Sequence, residues 1–237
     1  MNLGTYTDEK LEQRRQGLRP CAAWRKSEYF IGVDLGQAQD PTAIVILERR
    51  EVALGTDPVT WAQVMDTRYL VRFLERLPLQ TSYTGVVERV AKVAREVRQL
   101  GECLIVADAT GVGRPVIDML RDEQLPCLLE AVVITGGERQ HQVDGYWHVP
   151  KRDLIQGLQV MVQDGTFEVV SKLDEAQILA KEMLNLRVTP SRSGTPGYQP
   201  WRDGEHDDLV LAAALACWRG RSRPLPPTNG TRPLLCF

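Results

Sequence analysis

The sequence predicts an α/β fold, in which a mixed sheet, an antiparallel three-strand meander extended by parallel strands, carries helices on both faces. Three observations predict it. Short β-branched runs crowd the first third of the chain, a long amphipathic helical pattern follows, and beyond it strand-like and helical runs alternate.

The meander begins at Tyr29. Residues 29–35 are an apolar run of β-type residues, broken by Gly36-Gln37-Ala38-Gln39-Asp40-Pro41, and residues 42–47 form a second run. Residues 59–73, rich in Val, Trp, Thr and Tyr, supply the third strand. Over 83–100, Val86, Val87, Val90, Val93, Ala94, Val97 and Leu100 recur at helical spacing, and Gly101 stands where a C-cap glycine belongs. Residues 103–107 read as a strand buried on both faces, ending in Asp108. Gly111-Val112-Gly113 and Pro115 open a helix to about Arg121, and 128–134 form a further strand. Gly145-Tyr146-Trp147-His148 precedes a helix over 150–162, and 174–187 is another helix. Residues 189–200, rich in Pro, Gly and Ser, predict a mobile loop. The last element runs from Asp207 and Asp208 into the apolar stretch 209–218, a buried helix whose first-turn acids suit its dipole.

These elements define one domain over 29–219, with a charged N-terminal extension at 1–28 and a Pro-rich tail at 220–237. A length of 237 residues is enough for one sizeable core. The net charge of −2 gives no whole-molecule attraction to nucleic acid, so DNA binding would depend on local basic residues and on bridging cations. Cys21, Cys103, Cys127, Cys217 and Cys236 lack any C-x-x-C spacing, which fits a reducing cytoplasm. The first ten residues are polar, and no apolar run is long enough to cross a bilayer, so no membrane partner is expected. Trp24, Trp61, Trp147, Trp201 and Trp218 read as core or rim packing.

Chemistry is expected where the acids fall. Asp34 lies inside one apolar strand, Asp108 ends another, and Asp207 and Asp208 begin a buried helix; an uncompensated carboxylate is expensive at each place. Taken singly, each has an ordinary structural explanation as a satisfied acid or a cap. Together, if the two strands are neighbours, they converge at one end of the sheet. An all-oxygen cluster of this kind suits Mg²⁺ or Mn²⁺. Two such ions roughly 3.5–4 Å apart would activate water and stabilise the leaving oxygen of a phosphodiester. Adjacent helical residues point about 100° apart, which favours Asp208 as the inner ligand and Asp207 as a second ligand or support. Lys151, Arg152, Arg187, Arg192, Arg202 and His206 are candidate phosphate contacts, with a solvated surface as the ordinary alternative. Gly111 and Gly113 could bring backbone close to a phosphate or simply turn the chain tightly.

Four segments, Tyr29-Phe30-Ile31-Gly32-Val33-Asp34-Leu35-Gly36, Asp40-Pro41-Thr42-Ala43, Val106-Ala107-Asp108-Ala109-Thr110-Gly111-Val112-Gly113 and Gly204-Glu205-His206-Asp207-Asp208-Leu209-Val210, resemble the acidic motifs of the nuclease domain of viral large terminase subunits. The resemblance spans about residues 29–219. It implies a ribonuclease H-like fold, two catalytic metal ions, double-stranded DNA as substrate, and Asp34, Asp108 and Asp208 as the matching acids. The His-Asp-Asp-Leu-Val run is its most specific piece. The family places an ATPase motor before the nuclease, whereas this chain has no G-x-x-x-x-G-K-[ST] phosphate loop, which leaves three readings open: an excised domain, a stand-alone nuclease working with a separate motor, a small terminase subunit and a portal, or a relative with another DNA-cutting role. Gly32-Val33-Asp34-Leu35-Gly36 also resembles the first phosphate-binding turn of actin-like and sugar-kinase ATPases, which would make the chain an ATP-binding protein. A catalytically silent DNA-packaging adaptor is the third reading.

Overall fold

Alternation of side chains on the first strand sets the whole layout. In β1 (Arg25–Asp34) Phe30 points to one face, while Ile31 and Val33 point to the other, and all three are fully buried, as a strand covered on both sides requires. The computed structural model describes residues 14–20, 25–36, 40–111, 113–170, 172–190, 196–200 and 207–223, with backbone alone at 25, 186–190 and 196–200.

Among the described residues, β1 pairs antiparallel with β2 (Ala43–Thr56), which pairs antiparallel with β3 (Gln63–Arg76); this is the expected meander. On its other side β1 pairs in parallel with β4 (Glu102–Asp108), followed by β5 (Leu128–Thr135) and β7 (Tyr146–Pro150). Short edge strands complete the sheet, β6 (His141–Val143) against β7 and β8 (Phe167–Val169) against β3. The order is β6-β7-β5-β4-β1-β2-β3-β8.

One face carries α1 (Tyr83–Arg98) and α2 (Gly113–Asp122), whose Val86, Val90, Val97, Ile117 and Leu120 pack on Ile31, Val33, Ile44 and Ile105. The other carries α3 (Lys151–Gln163), α4 (Ala176–Asn185) and α5 (Asp208–Ser222), packed on Phe30, Val45, Leu47, Leu104 and Val106. Helices therefore cover both faces, as the sequence predicts. No helix among the described residues is long and apolar enough to cross a membrane.

Several boundaries differ from expectation. β1 begins at Arg25, ahead of Tyr29, and β2 runs on past Leu47 to Thr56 through Glu48, Arg49, Arg50 and Glu51. These charges stay in the strand because neighbouring strands supply partners: Arg72 and Ser27 bond Glu48, and Arg49 pairs with Glu28. The segment before α3 is not a simple lead-in but the strand β7, formed with β6 as a hairpin. Residues 189–200, expected as a mobile loop, instead contribute to β9 (Leu186–Pro190) and β10 (Pro196–Pro200), whose backbones pair antiparallel, with 191–195 outside the described residues. Trp218 is buried and Trp147 meets it edge-on at 5.7 Å, but Trp61 is 64% exposed under the Arg19 guanidinium rather than in the core. Trp24 and Trp201 lie outside the described residues.

Candidate active site

The ends of β1 and β4 bring two acids together. Their parallel register reaches Val33 opposite Ala107, so Asp34 and Asp108 are the next residues on neighbouring strands. Beyond Asp108 the chain turns at once, and Asp108 Oδ1 accepts hydrogen bonds from the Thr110 backbone N–H at 2.8 Å and the Thr110 hydroxyl at 2.5 Å. Helix α2 starts so close above this turn that a Cβ at Gly113 would stand 2.5 Å from the Asp108 carbonyl oxygen. A side chain there would push the helix off the site.

The third element arrives by close helix-on-strand packing. A Cβ at Gly32 would lie 1.9 Å from the Ala212 carbonyl oxygen, so only glycine lets α5 sit this low on β1. Asp208 is one helical turn before Ala212, and Asp34 is two residues after Gly32 on the same strand. The contact thereby sets the start of α5 over the end of β1. Asp34 and Asp208 are both buried, at 8% and 5% exposure.

Asp34 feels the charges of the other three acids. Burial pushes the Asp34 carboxyl well above the usual aspartate range, and the charges of Asp108, Asp208 and Asp207 push it further, with Lys151 opposing them. Asp108 is also raised, by burial, against the Thr110 hydrogen bonds, the Lys151 charge and a hydrogen bond from Asp34. Like charges this close favour one proton between them or an added cation. Asp207 is the N-cap residue of α5, yet its side chain makes no capping bond. It turns instead to Lys151, whose Nζ donates to Oδ2 at 2.7 Å. The capping role weighed for Asp207 is therefore not what its side chain does, whereas Asp108 does brace its own turn.

Among the described residues no group of three or more His, Cys, Asp or Glu side chains is placed, as the side chains stand, to hold a metal ion. The acids line the pocket from different sides, with Asp207 drawn to Lys151 and Asp208 facing Arg76 at 3.6 Å. As a donor set they fit a hard divalent cation: carboxylate oxygens, with Asp34 and Asp208 buried and Asp34 raised by the charges of its neighbours.

Of the basic candidates, Lys151 belongs to the acidic pocket itself. Arg152 lies over Asp153 at 3.4 Å and the Glu138 carbonyl at 3.3 Å. Arg192, Arg202 and His206 lie outside the described residues, and Arg187 is described by its backbone alone. Two groups beside Asp208 escaped the sequence reading, Arg76 at the end of β3 and Glu182 in α4, which form an ion pair. Glu182 is 7% exposed at a position that the helical period of Ala176 and Leu179 assigns to the core, and that misplaced acid was the available signal.

No family model and no curated protein sequence matches the chain. Solved structures do. The large terminase nuclease from thermophilic phage G20c superposes with a TM-score of 0.52 at 19% identity, over 87% of this chain and 96% of that one. The chain has the fold of a large terminase nuclease. The same phage protein in its magnesium-bound form gives a TM-score of 0.54 at 19% identity over 87% of this chain and 95% of that one. Its cobalt-bound form gives 0.53 at 21% identity over 86% and 93%. The terminase-nuclease fold, ribonuclease H-like, thus accounts for most of the chain.

Proposed function

We propose that this chain is a divalent-metal-dependent DNA endonuclease of the terminase type, with Asp34, Asp108 and Asp208 holding the cations and Asp207 as a further ligand or support. The carrying observation is the burial of Asp34 among Asp108, Asp207 and Asp208 with one lysine against them. Such a pocket disfavours its own ionised state and gains most from added positive charge. Supporting it, the phage nuclease of this fold has been solved with bound magnesium and with bound cobalt.

Bound Mg²⁺ or Mn²⁺, two ions in this reading, would supply Lewis-acid stabilisation of the phosphodiester and a water that ionises near neutral pH. The protein's own part is positioning. Thr110 fixes the Asp108 carboxylate with two hydrogen bonds, Lys151 holds the Asp207 carboxylate with one, and the Gly32 contact brings the start of α5 over the end of β1. Double-stranded DNA is the substrate, approached through phosphate contacts from Arg152 and, outside the described residues, Arg192, Arg202 and His206. With no base-reading motif in the sequence, cleavage has little sequence preference. An ATPase motor, on the same polypeptide or a separate one, a small terminase subunit and a portal are the packaging partners, and the setting is the cytoplasm.

Nicking of supercoiled plasmid tests this. The parent protein nicks with Mg²⁺ or Mn²⁺ and not with EDTA, and Asp34→Asn or Asp208→Asn slows it by about a hundredfold or more while gel-shift binding of DNA persists. A parent that binds DNA but never nicks is a silent adaptor. One that instead binds ATP tightly supports the actin-like reading, which needs two comparable domains where the described strands form one large sheet and one hairpin. Either result overturns the nuclease.

A further inference from the structure

We propose that Cys103 and Cys127 form an oxidisable dithiol, a modification site at which a peroxide closes a disulfide that clamps β4 to the start of β5. The site is independent of the nuclease reading. In the parallel register of these strands Leu104 lies opposite Leu128, so Cys103 and Cys127 are the residues immediately before a matched pair. Neighbouring strands run about 4.8 Å apart, within the roughly 4.4–6.8 Å that a disulfide spans between Cα atoms. Both side chains belong to the cluster under α1 and α2, with Cys103 buried in it and Cys127 half-buried against it. Both are free thiols, and they hydrogen-bond to each other.

The two sulfurs are chemically unequal. The bond from Cys127 and the Arg98 charge hold the Cys103 thiol below the usual cysteine range, against burial and the Glu102 charge. The bond to Cys103, and burial with it, push the Cys127 thiol far up. Cys103 is therefore the sulfur that ionises, and a thiolate is the attacking form. It attacks one oxygen of hydrogen peroxide; the O–O bond breaks, leaving a sulfenic acid on Cys103 and a hydroxide that takes up a proton to become water. The Cys127 sulfur then attacks the Cys103 sulfur, and its proton leaves with the displaced hydroxyl as a second water. Two thiols lose two electrons in forming one S–S bond, and one peroxide is reduced to two waters. Cys217 supplies the contrast, fully buried in α5 with its thiol pushed up by burial. The clamp lies five residues before Asp108, about 17 Å along β4, and so closes away from the acids.

The test uses the full chain with Cys21→Ser and Cys236→Ser, which removes the two cysteines outside the described residues. The folded protein is treated with a slight excess of hydrogen peroxide, digested with trypsin without reduction and mapped by mass spectrometry. The expected product is peptide 99–121 joined to peptide 122–139, lighter than the separate pair by two hydrogens and parted again by dithiothreitol, with Cys217 still open to alkylation after unfolding. Cys127→Ser is expected to leave a sulfenic acid on Cys103 that dimedone labels, where the parent gives the disulfide instead. Closing the loop constrains the unfolded chain, and the thermal midpoint of the oxidised protein should rise by about 5–10 °C. The proposal is overturned if Cys103 and Cys127 remain open to alkylation, if Cys103 passes to sulfinic acid without the link, or if the link forms only in urea. A midpoint that does not rise overturns the clamp. Should Cys127→Ser fail to fold by circular dichroism, the peptide map of the protein that retains both thiols decides alone.

Discussion

At the amino end of β1, Glu28 lies against Arg49, and Glu48 on the neighbouring strand is held by Arg50, Arg72 and Ser27; at the carboxyl end of the same strand, Asp34 meets three further aspartates and one lysine. Both ends bury acids, but the consequences are opposite. Burial pushes Glu48 upward, yet the bonds from Ser27, Arg72 and Arg50 outweigh it and its carboxyl ends below the usual range. At Asp34 burial and neighbouring charges push the same way, and the carboxyl rises. A buried acid therefore says little about function until its partners are counted. One end of the strand is a closed structural network, with Glu51 its only raised outlier among the residues named here, and the other is an open demand for positive charge.

The largest expected effect is at the closed end. Arg49 donates through Nη1 to the carbonyls of Gly220 at 2.7 Å and Arg223 at 2.8 Å and pairs through Nη2 with Glu28, tying β1 and β2 to the end of α5. Arg49→Met leaves the buried Glu28 carboxylate with Lys26 at 3.8 Å in place of its close partner and should cost about 3–5 kcal/mol, read by urea unfolding, with part of it recovered by Glu28→Gln in the same chain. Next comes the open end: Mn²⁺ at about 100 times its dissociation constant should stabilise the protein by about 2.7 kcal/mol in a thermal melt. Arg49→Met must keep this response, and Asp34→Asn must lose it. A metal response that vanishes in Arg49→Met would mean that the two ends are not independent.

The elements that organise the open end were legible because apolar patterning and acid placement agree there. β1, β4, the first long helix and the apolar α5 follow from their own residues, and Asp34, Asp108 and Asp208 mark their ends. What stayed hidden depends on partners distant in sequence. The charged second half of β2 looks like a strand only once Glu28, Ser27 and Arg72 are beside it. Glu182 looks like an error in an apolar face until Arg76 and the start of α5 are placed against it. Gly32 reads as one glycine of a common turn motif, whereas its role is the close approach of Ala212, 180 residues later. The β6–β7 hairpin was readable: Asp144 and Gly145 both have positive φ, and Asp-Gly between two strands is a strong two-residue turn signal.

The smallest effect tests the sign of the contrast. Because the folded Asp34 carboxyl is raised above its ordinary value of 3.8, its contribution to stability is fully present below that pH and is lost as pH rises through the folded value. Without divalent cations, burying Asp34 therefore opposes folding increasingly as pH rises above its ordinary value, and Asp34→Asn should stabilise the protein by about 0.5–2 kcal/mol at the alkaline end of the range. That gain should shrink as the pH is lowered toward 3.8, where the parent's Asp34 is protonated. Glu48→Gln should do the reverse at neutral pH, because the lowered Glu48 carboxyl contributes stability above its ordinary 4.5 that disappears only as pH falls through the folded value. Melting both variants beside the parent from pH 4 to 8 gives the comparison directly. If Asp34→Asn melts below the parent at pH 8 in EDTA, the pocket is satisfied as it stands, and its need for a cation, on which the enzymatic reading depends, is gone.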